Sequence, residues 1–383
     1  MKDTSPKPSK KIKSLKDLYE SGKHLNGDSG NSHTIKPEWF DRNLLNQAYD
    51  FCRDYTMMIL ISYQYIIVTG LTIPRLLKPL IWTGQSSTAE TSKVRYARVA
   101  MHLIDWLFDE DNKNCDPFDY PNNKKSVSIH KTRLIHRVNR KLVNKGPEEG
   151  GRGLQNPSKQ NKGSFLSMYD MAWVQAAFVT PPLLFPRTFN LSKQEKKAWV
   201  HLWRTIGYLL GIDEEHNICS SVEQAETIVY DIVFDEILPG LKTPPKEYKY
   251  MADAFCEGYN LFLQNSPIPH VITIELSTFM VVGIFYQFLQ ECFQGKSEKE
   301  IDEMDERVKK LVPRTYQDWP EWLKQERTYK RNLQMRLFLL NNNILLKSDM
   351  LRSVSNKLGL SLVHTCIERL SEMDMGHFRN AVA

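Results

Sequence analysis

Arg133, His136 and Arg140 stand at i, i+3 and i+7 in the octapeptide Arg133-Leu134-Ile135-His136-Arg137-Val138-Asn139-Arg140. On a helix this spacing sets one imidazole between two guanidiniums on a single face. A neutral imidazole can ligate a metal ion or a haem iron. Guanidiniums nearby can hold a carboxylate, including a haem propionate. A related group lies upstream, where Arg95, Arg98 and His102 share one face beside an apolar face of Val94, Ala97, Met101 and Ile104. On residue types alone, the upstream stretch also reads as an amphipathic surface helix with a basic face, and the lone helical histidine of the octapeptide reads as a satisfied core or surface residue.

These groups need helices to position them, and the chain supplies helices. Leu44, Ala48, Phe51 and Cys52 recur at helical spacing, as do Val99, Leu103, Trp106 and Leu107. Strand signals are few, so the pattern predicts an all-α protein of many helices. Residues 228–238 read as an amphipathic helix ended by Pro239-Gly240. The apolar run at 168–186 reads as a helix up to Pro181-Pro182. It carries Gln175 and Asp170, and a buried aspartate must be paired or hydrogen-bonded. Capping of its own helix is the expected role of Asp170, with Arg204 as a candidate partner. In the segment 199–212, Trp203 and Tyr208 supply bulk, Gly207 permits close helix approach, and Gly211 sits where a left-handed cap is expected before the turn at 213–216.

The chain has 383 residues, 41% hydrophobic and 25% charged, ordinary for a folded protein. Cys52, Cys115, Cys219, Cys256, Cys292 and Cys366 are scattered with no CxxC pair. That excludes a cysteine zinc site or a disulfide framework and fits a reducing compartment, as expected of an intracellular, cytoplasmic protein. A net charge of +6 is modest for this length and does not call for nucleic acid. Residues 1–33 are basic and polar and are expected to be a disordered tail. Residues 34–295 are expected to form the main helical domain, with a Gly-, Pro- and charge-rich surface loop at 144–163. Residues 296–383 are expected to be a charged helical extension packed on that core. Residues 55–74 and 276–290 carry no charge. Each reads as a buried core helix, with a membrane anchor as the alternative, so a membrane surface stands among the candidate partners. There is no GxGxxG, P-loop, GxSxG or HExxH, which sets aside hydrolase and nucleotide-binding readings by motif.

Four stretches taken in order resemble a known family. They are Arg95-Tyr96-Ala97-Arg98-Val99, then Arg133-Leu134-Ile135-His136 through Arg140, then Asp170-Met171-Ala172, then Trp203-Arg204-Thr205-Ile206-Gly207-Tyr208-Leu209-Leu210-Gly211-Ile212. This order is similar to that of the bacterial rubber oxygenases (latex-clearing proteins) and the fungal endoplasmic-reticulum oxygenase of mycophenolic acid biosynthesis. The likeness spans roughly residues 40–290.

The resemblance implies an all-α fold with a globin-like core holding haem b, and His136 as the ligand to its iron. It places Arg95 and Arg98 on the distal side and Arg133 or Arg140 near the propionates. It implies dioxygen-dependent cleavage of a carbon–carbon double bond in a hydrophobic, isoprenoid substrate, with dioxygen and that substrate as partners. Three departures bear on the distal half. Val99 stands where the family has threonine, Arg98 where rubber oxygenases have lysine, and Glu90 is the nearest acid to the family's distal base. An arginine does not shed its proton, so Arg98 cannot ligate iron as an amine does, though it can stabilise negative charge. A non-catalytic haem- or lipid-binding helical protein, membrane-peripheral, therefore stands beside the oxygenase reading.

Overall fold

A computed structural model describes residues 12–108, 114–145, 163–184, 189, 191–262 and 357. The helices run α1 (Leu15–Gly22), α2 (Arg42–Asp54), α3 (Thr56–Gly70), α4 (Pro74–Thr83), α5 (Ala89–Leu103), α6 (Lys124–Asn144), α7 (Met168–Leu184), α8 (Lys193–Leu209), α9 (Val222–Ile232), α10 (Leu238–Lys242) and α11 (Tyr248–Phe262). Among the described residues there is no strand, only an isolated bridge between Asn26 and Ser167. The all-α expectation holds. The chain divides into two compact units. The first contains α1, α6, α8, α9 and the leading parts of α2 and α7; the second contains α3, α4, α5, α10 and α11. The expected extension at 296–383, the uncharged run at 276–290 and the interior of the loop at 144–163 lie outside the described residues, apart from Lys357.

In the first unit, the N-terminal lead differs from the expected tail. Ser14 caps α1 by accepting from the Asp17 amide at 3.1 Å, Leu18 is fully buried, and the Leu15 amide donates to Asp231 Oδ2 of α9 at 2.9 Å. Two apolar residues one turn apart and a capped terminus suffice to dock this short basic segment. Asp170 plays its expected capping part. It accepts from the amide and hydroxyl of Ser167, both at 3.0 Å, while its own amide donates to Ser167 Oγ at 3.3 Å. Arg204 is not its partner but pairs with Glu214 at 2.8 Å. Gly207 allows the expected close approach: a Cβ there would collide with Gln175 of α7. The Gln175 amide donates to Trp203 O and Asn217 Oδ1, both at 2.8 Å, which pins α7 to α8 and the turn after it. Gly211 adopts φ +100°, where an L side chain is strained.

Two proline breaks fall elsewhere than expected. α7 continues through Pro181 and Pro182 to Leu184. After α9 the chain takes a π turn at Val233–Ile237 and resumes as α10 through Pro239-Gly240. Pro239 sits in the first turn of α10, where its missing N–H costs no intrahelical bond.

In the second unit, α3 is the buried core helix expected at 55–74. Ile59 and Val68 are fully buried, and Tyr63 and Tyr65 nearly so. Among the described residues no single helix is long and apolar enough to cross a membrane; α3 and α4 meet that test only as a pair bent by 94°. α5 and α11 pack closely over a cluster that includes Val68, Leu77, Tyr96, Met251 and Phe255. Gly258 makes this approach possible. A Cβ there would lie 2.5 Å from Ala89 O and 2.7 Å from the Lys93 amide, both backbone atoms that cannot swing aside. Gly258→Ala is expected to destabilise this unit by about 1–3 kcal/mol, although alanine favours an unconstrained helix by about 1 kcal/mol. The shift of the urea unfolding midpoint measures which effect prevails.

Candidate functional site: a histidine–arginine helix under an N-terminal strap

α6 is the helix that positions the opening constellation. Asn123 caps it, accepting from the Ser126 amide at 2.9 Å, and Ile129, Arg133, Arg140 and Val143 line its buried face. His136 lies at the edge of that face, partly buried, with its Nδ1 turned away from solvent. The two flanking arginines are both drawn inward but have different surroundings.

Arg133 is committed to the chain itself. Its guanidinium and the Asp28 carboxylate are each 3% exposed and form a direct ion pair. Nε donates to both Asp28 oxygens at 3.1 Å, while Nη1 reaches Asn31 O at 3.1 Å and Leu209 O at 3.3 Å. Arg137 adds a second contact to Asp28 at 3.1 Å from the exposed side. Burial alone would raise the Asp28 carboxyl. The Arg133 hydrogen bond, the Gly30 amide and the two arginine charges outweigh it and hold the group below the ordinary carboxylate value.

Arg140 is different. Its Nε donates to Leu166 O at 2.6 Å, but its buried Nη2 meets no acceptor among the described residues. Burial lowers its pKa from the usual arginine value. A buried cationic N–H without an acceptor is costly, and a carboxylate is the acceptor that suits it.

Asp28 belongs to an irregular strap, residues 24–41, that the sequence does not single out. Its Asn26-Gly27-Asp28-Ser29-Gly30 run reads as turn residues, and its contacts lie too far along the chain for any local pattern to show them. Three histidines serve the strap as uncharged groups. His33 Nε2 and His130 Nδ1 lie 3.1 Å apart. Burial, then the Arg133 charge, pulls His33 down to about 4; burial also lowers His130. On α8, His201 Nε2 accepts from the Asp41 amide at 3.1 Å. Trp39 packs edge-on against His201 and Tyr208, lies under the Arg204 guanidinium at 4.0 Å, and donates to Glu214 at 2.6 Å.

Burial brings His201 from 6.5 down to about 4. The folded state therefore prefers the neutral ring. Its contribution is complete above pH 6.5 and is lost as pH falls toward 4, where the unfolded chain takes up the proton first. Urea unfolding is expected to lose up to ~3 kcal/mol from this ring between those limits. In His201→Gln, whose amide oxygen can still accept from Asp41, that part of the slope should vanish; an unchanged slope would reject the assignment.

Arg95 and Arg98 stand on α5 in the second unit, both partly buried. Arg95 Nη1 lies 3.4 Å from Thr83 Oγ1. Burial lowers the Arg98 guanidinium from its usual value. Val99, one residue on, packs against the Tyr96–Phe255 cluster as an ordinary apolar side chain.

Fold and motif order together define an all-α oxygenase catalytic domain. Residues 55–295 match the family described as ER-bound oxygenase mpaB/B'/rubber oxygenase, catalytic domain, and the chain belongs to that family. No curated protein and no solved structure matches it.

Proposed function

We propose that this chain is a haem b-dependent oxygenase that acts on a hydrophobic, isoprenoid-like substrate by dioxygen-dependent cleavage of a carbon–carbon double bond. The observation that carries the reading is the α6 constellation within the oxygenase span: a partly buried His136 one turn from a buried arginine whose Nη2 meets no acceptor among the described residues. The donor set suits this group. Among the described residues no cluster of three or more His, Cys, Asp or Glu side chains could hold a bare metal ion. A single histidine is enough for haem, because the porphyrin itself supplies the iron's other nitrogen ligands.

When bound, haem would supply iron able to bind and activate dioxygen. The chain's own residues have separate tasks. His136 would hold the iron through a ring nitrogen. Arg140 would meet a propionate through Nη2. Arg133, its donors already taken by Asp28, Asn31 and Leu209, would hold α6 in place rather than touch the group. The roles of Arg95 and Arg98 rest on the resemblance. As fixed cations they would stabilise negative charge as it develops on oxygen, and neither would serve as a base. The test is the absorption spectrum of purified full-length protein before and after dithionite, followed by oxygen uptake with a polyprenyl substrate. A Soret band and substrate-dependent uptake are expected; colourless protein from haem-replete cells would overturn the reading.

Val99 favours a second reading, a haem-binding relative without cleavage activity. Its side chain is spent on core packing and offers no hydroxyl. A Soret band in protein that consumes no oxygen and binds no carbon monoxide when reduced would select it.

A further inference from the structure

The outer side of α6 is as distinctive as its buried side. Leu134, Ile135, Val138 and Leu142 are 42%, 52%, 51% and 48% exposed. At about 100° per residue they fall within an arc of roughly 100°, turned away from the face that buries Ile129, Arg133 and Arg140. Four large aliphatic side chains in one stripe on a single helix are more than the scattered exposure normal for a soluble surface. Their neighbours are all of one sign. Lys131 precedes the stripe by one turn, Lys145 follows it, and Arg137 and Lys141 run along one flank, all exposed. The 21-residue helix contains no aspartate or glutamate.

We propose that this face of α6 docks on a bilayer carrying anionic phospholipid. Aliphatic side chains would enter the boundary between headgroups and acyl chains, while Lys131, Arg137, Lys141 and Lys145 reach the phosphates. The charge complementarity calls for an anionic partner, and the aliphatic stripe calls for an apolar one; an anionic bilayer offers both at a flat surface. A partner that wraps a helix from all sides does not fit, because the opposite face of α6 is already buried in its own unit. Nucleic acid does not fit either, because it would set four exposed aliphatic side chains against a charged phosphate backbone. The inference does not depend on haem, so it can fail while the oxygenase reading stands, and the reverse.

The test uses purified full-length protein and vesicles of phosphatidylcholine with or without phosphatidylserine. Co-sedimentation is expected with the anionic vesicles and should weaken as salt is raised. Val138→Glu and the pair Lys131→Glu/Lys141→Glu should each weaken it about tenfold or more, with circular dichroism unchanged because these positions are exposed. A polarity-sensitive dye on Leu142→Cys should shift to the blue when anionic vesicles are added. Equal sedimentation with both vesicle types, or variants that bind like the parent, would overturn the proposal. So would a dye already blue-shifted without lipid, which would mean that residues 263–383 or a second copy cover the face. Binding to polyglutamate as tight as to vesicles would likewise overturn it in favour of an acidic protein.

Discussion

Asp28→Ala is expected to be among the most damaging single changes in the first unit, costing about 3–5 kcal/mol. The carboxylate is nearly inaccessible, as is the Arg133 guanidinium it meets. Removing it would strand a buried cation that already uses its other donors on the Asn31 and Leu209 carbonyls. The loss would therefore exceed the ~0–1 kcal/mol of a surface pair. Asp28→Ala/Arg133→Met should recover much of the stability, since replacing both charges removes the desolvation cost of each. Urea unfolding at neutral pH measures both variants. A loss for Asp28→Ala within the surface range would mean that water reaches Arg133 and that the strap is not sealed there.

His136→Ala is expected to have the largest functional effect. Loss of a group that only supports a metal ligand lowers affinity 10–100-fold, so loss of the ligand itself should lower haem affinity on the order of 100-fold or more. The purified variant should lack a Soret band while keeping its helical content. His130→Ala makes the control, because it removes another α6 histidine that faces His33 and Tyr120 instead. It should keep the band. A Soret band in His136→Ala like that of the parent would remove the ligand assignment and leave the family membership untouched.

The helices were legible in the sequence wherever apolar spacing ran unbroken, as in α2, α5 and α8. The caps that depend on short-range chemistry, at Asp170 and Gly211, were legible for the same reason. Errors arose where a composition rule met tertiary packing. The basic lead reads as a solvated tail until Leu15 and Leu18 find α9. Pro181-Pro182 and Pro239 read as stops, yet the helices pass them. In the candidate site, the shared face of Arg133 and Arg140 followed from their spacing; that this face is the buried one did not. Nor did the identity of their surroundings. Asp28, Asn31 and Leu209 reach Arg133 from distant parts of the chain, and no periodicity in a single sequence encodes such a meeting.

The strap has a consequence for the order in which the protein is made. Its anchors are separated by 105 residues for Asp28 with Arg133, 160 for Asp41 with His201 and 175 for Trp39 with Glu214. At a synthesis rate of roughly 5–20 residues per second, the strap would leave the ribosome about 9–35 s before the last of these partners exists. During that interval Trp39 has nothing to close upon, so the strap, made before its partners, settles after them. Pairings across such separations raise contact order, which slows folding. The delay also leaves the buried face of α6, with Arg133 and Arg140, uncovered until the strap is in place.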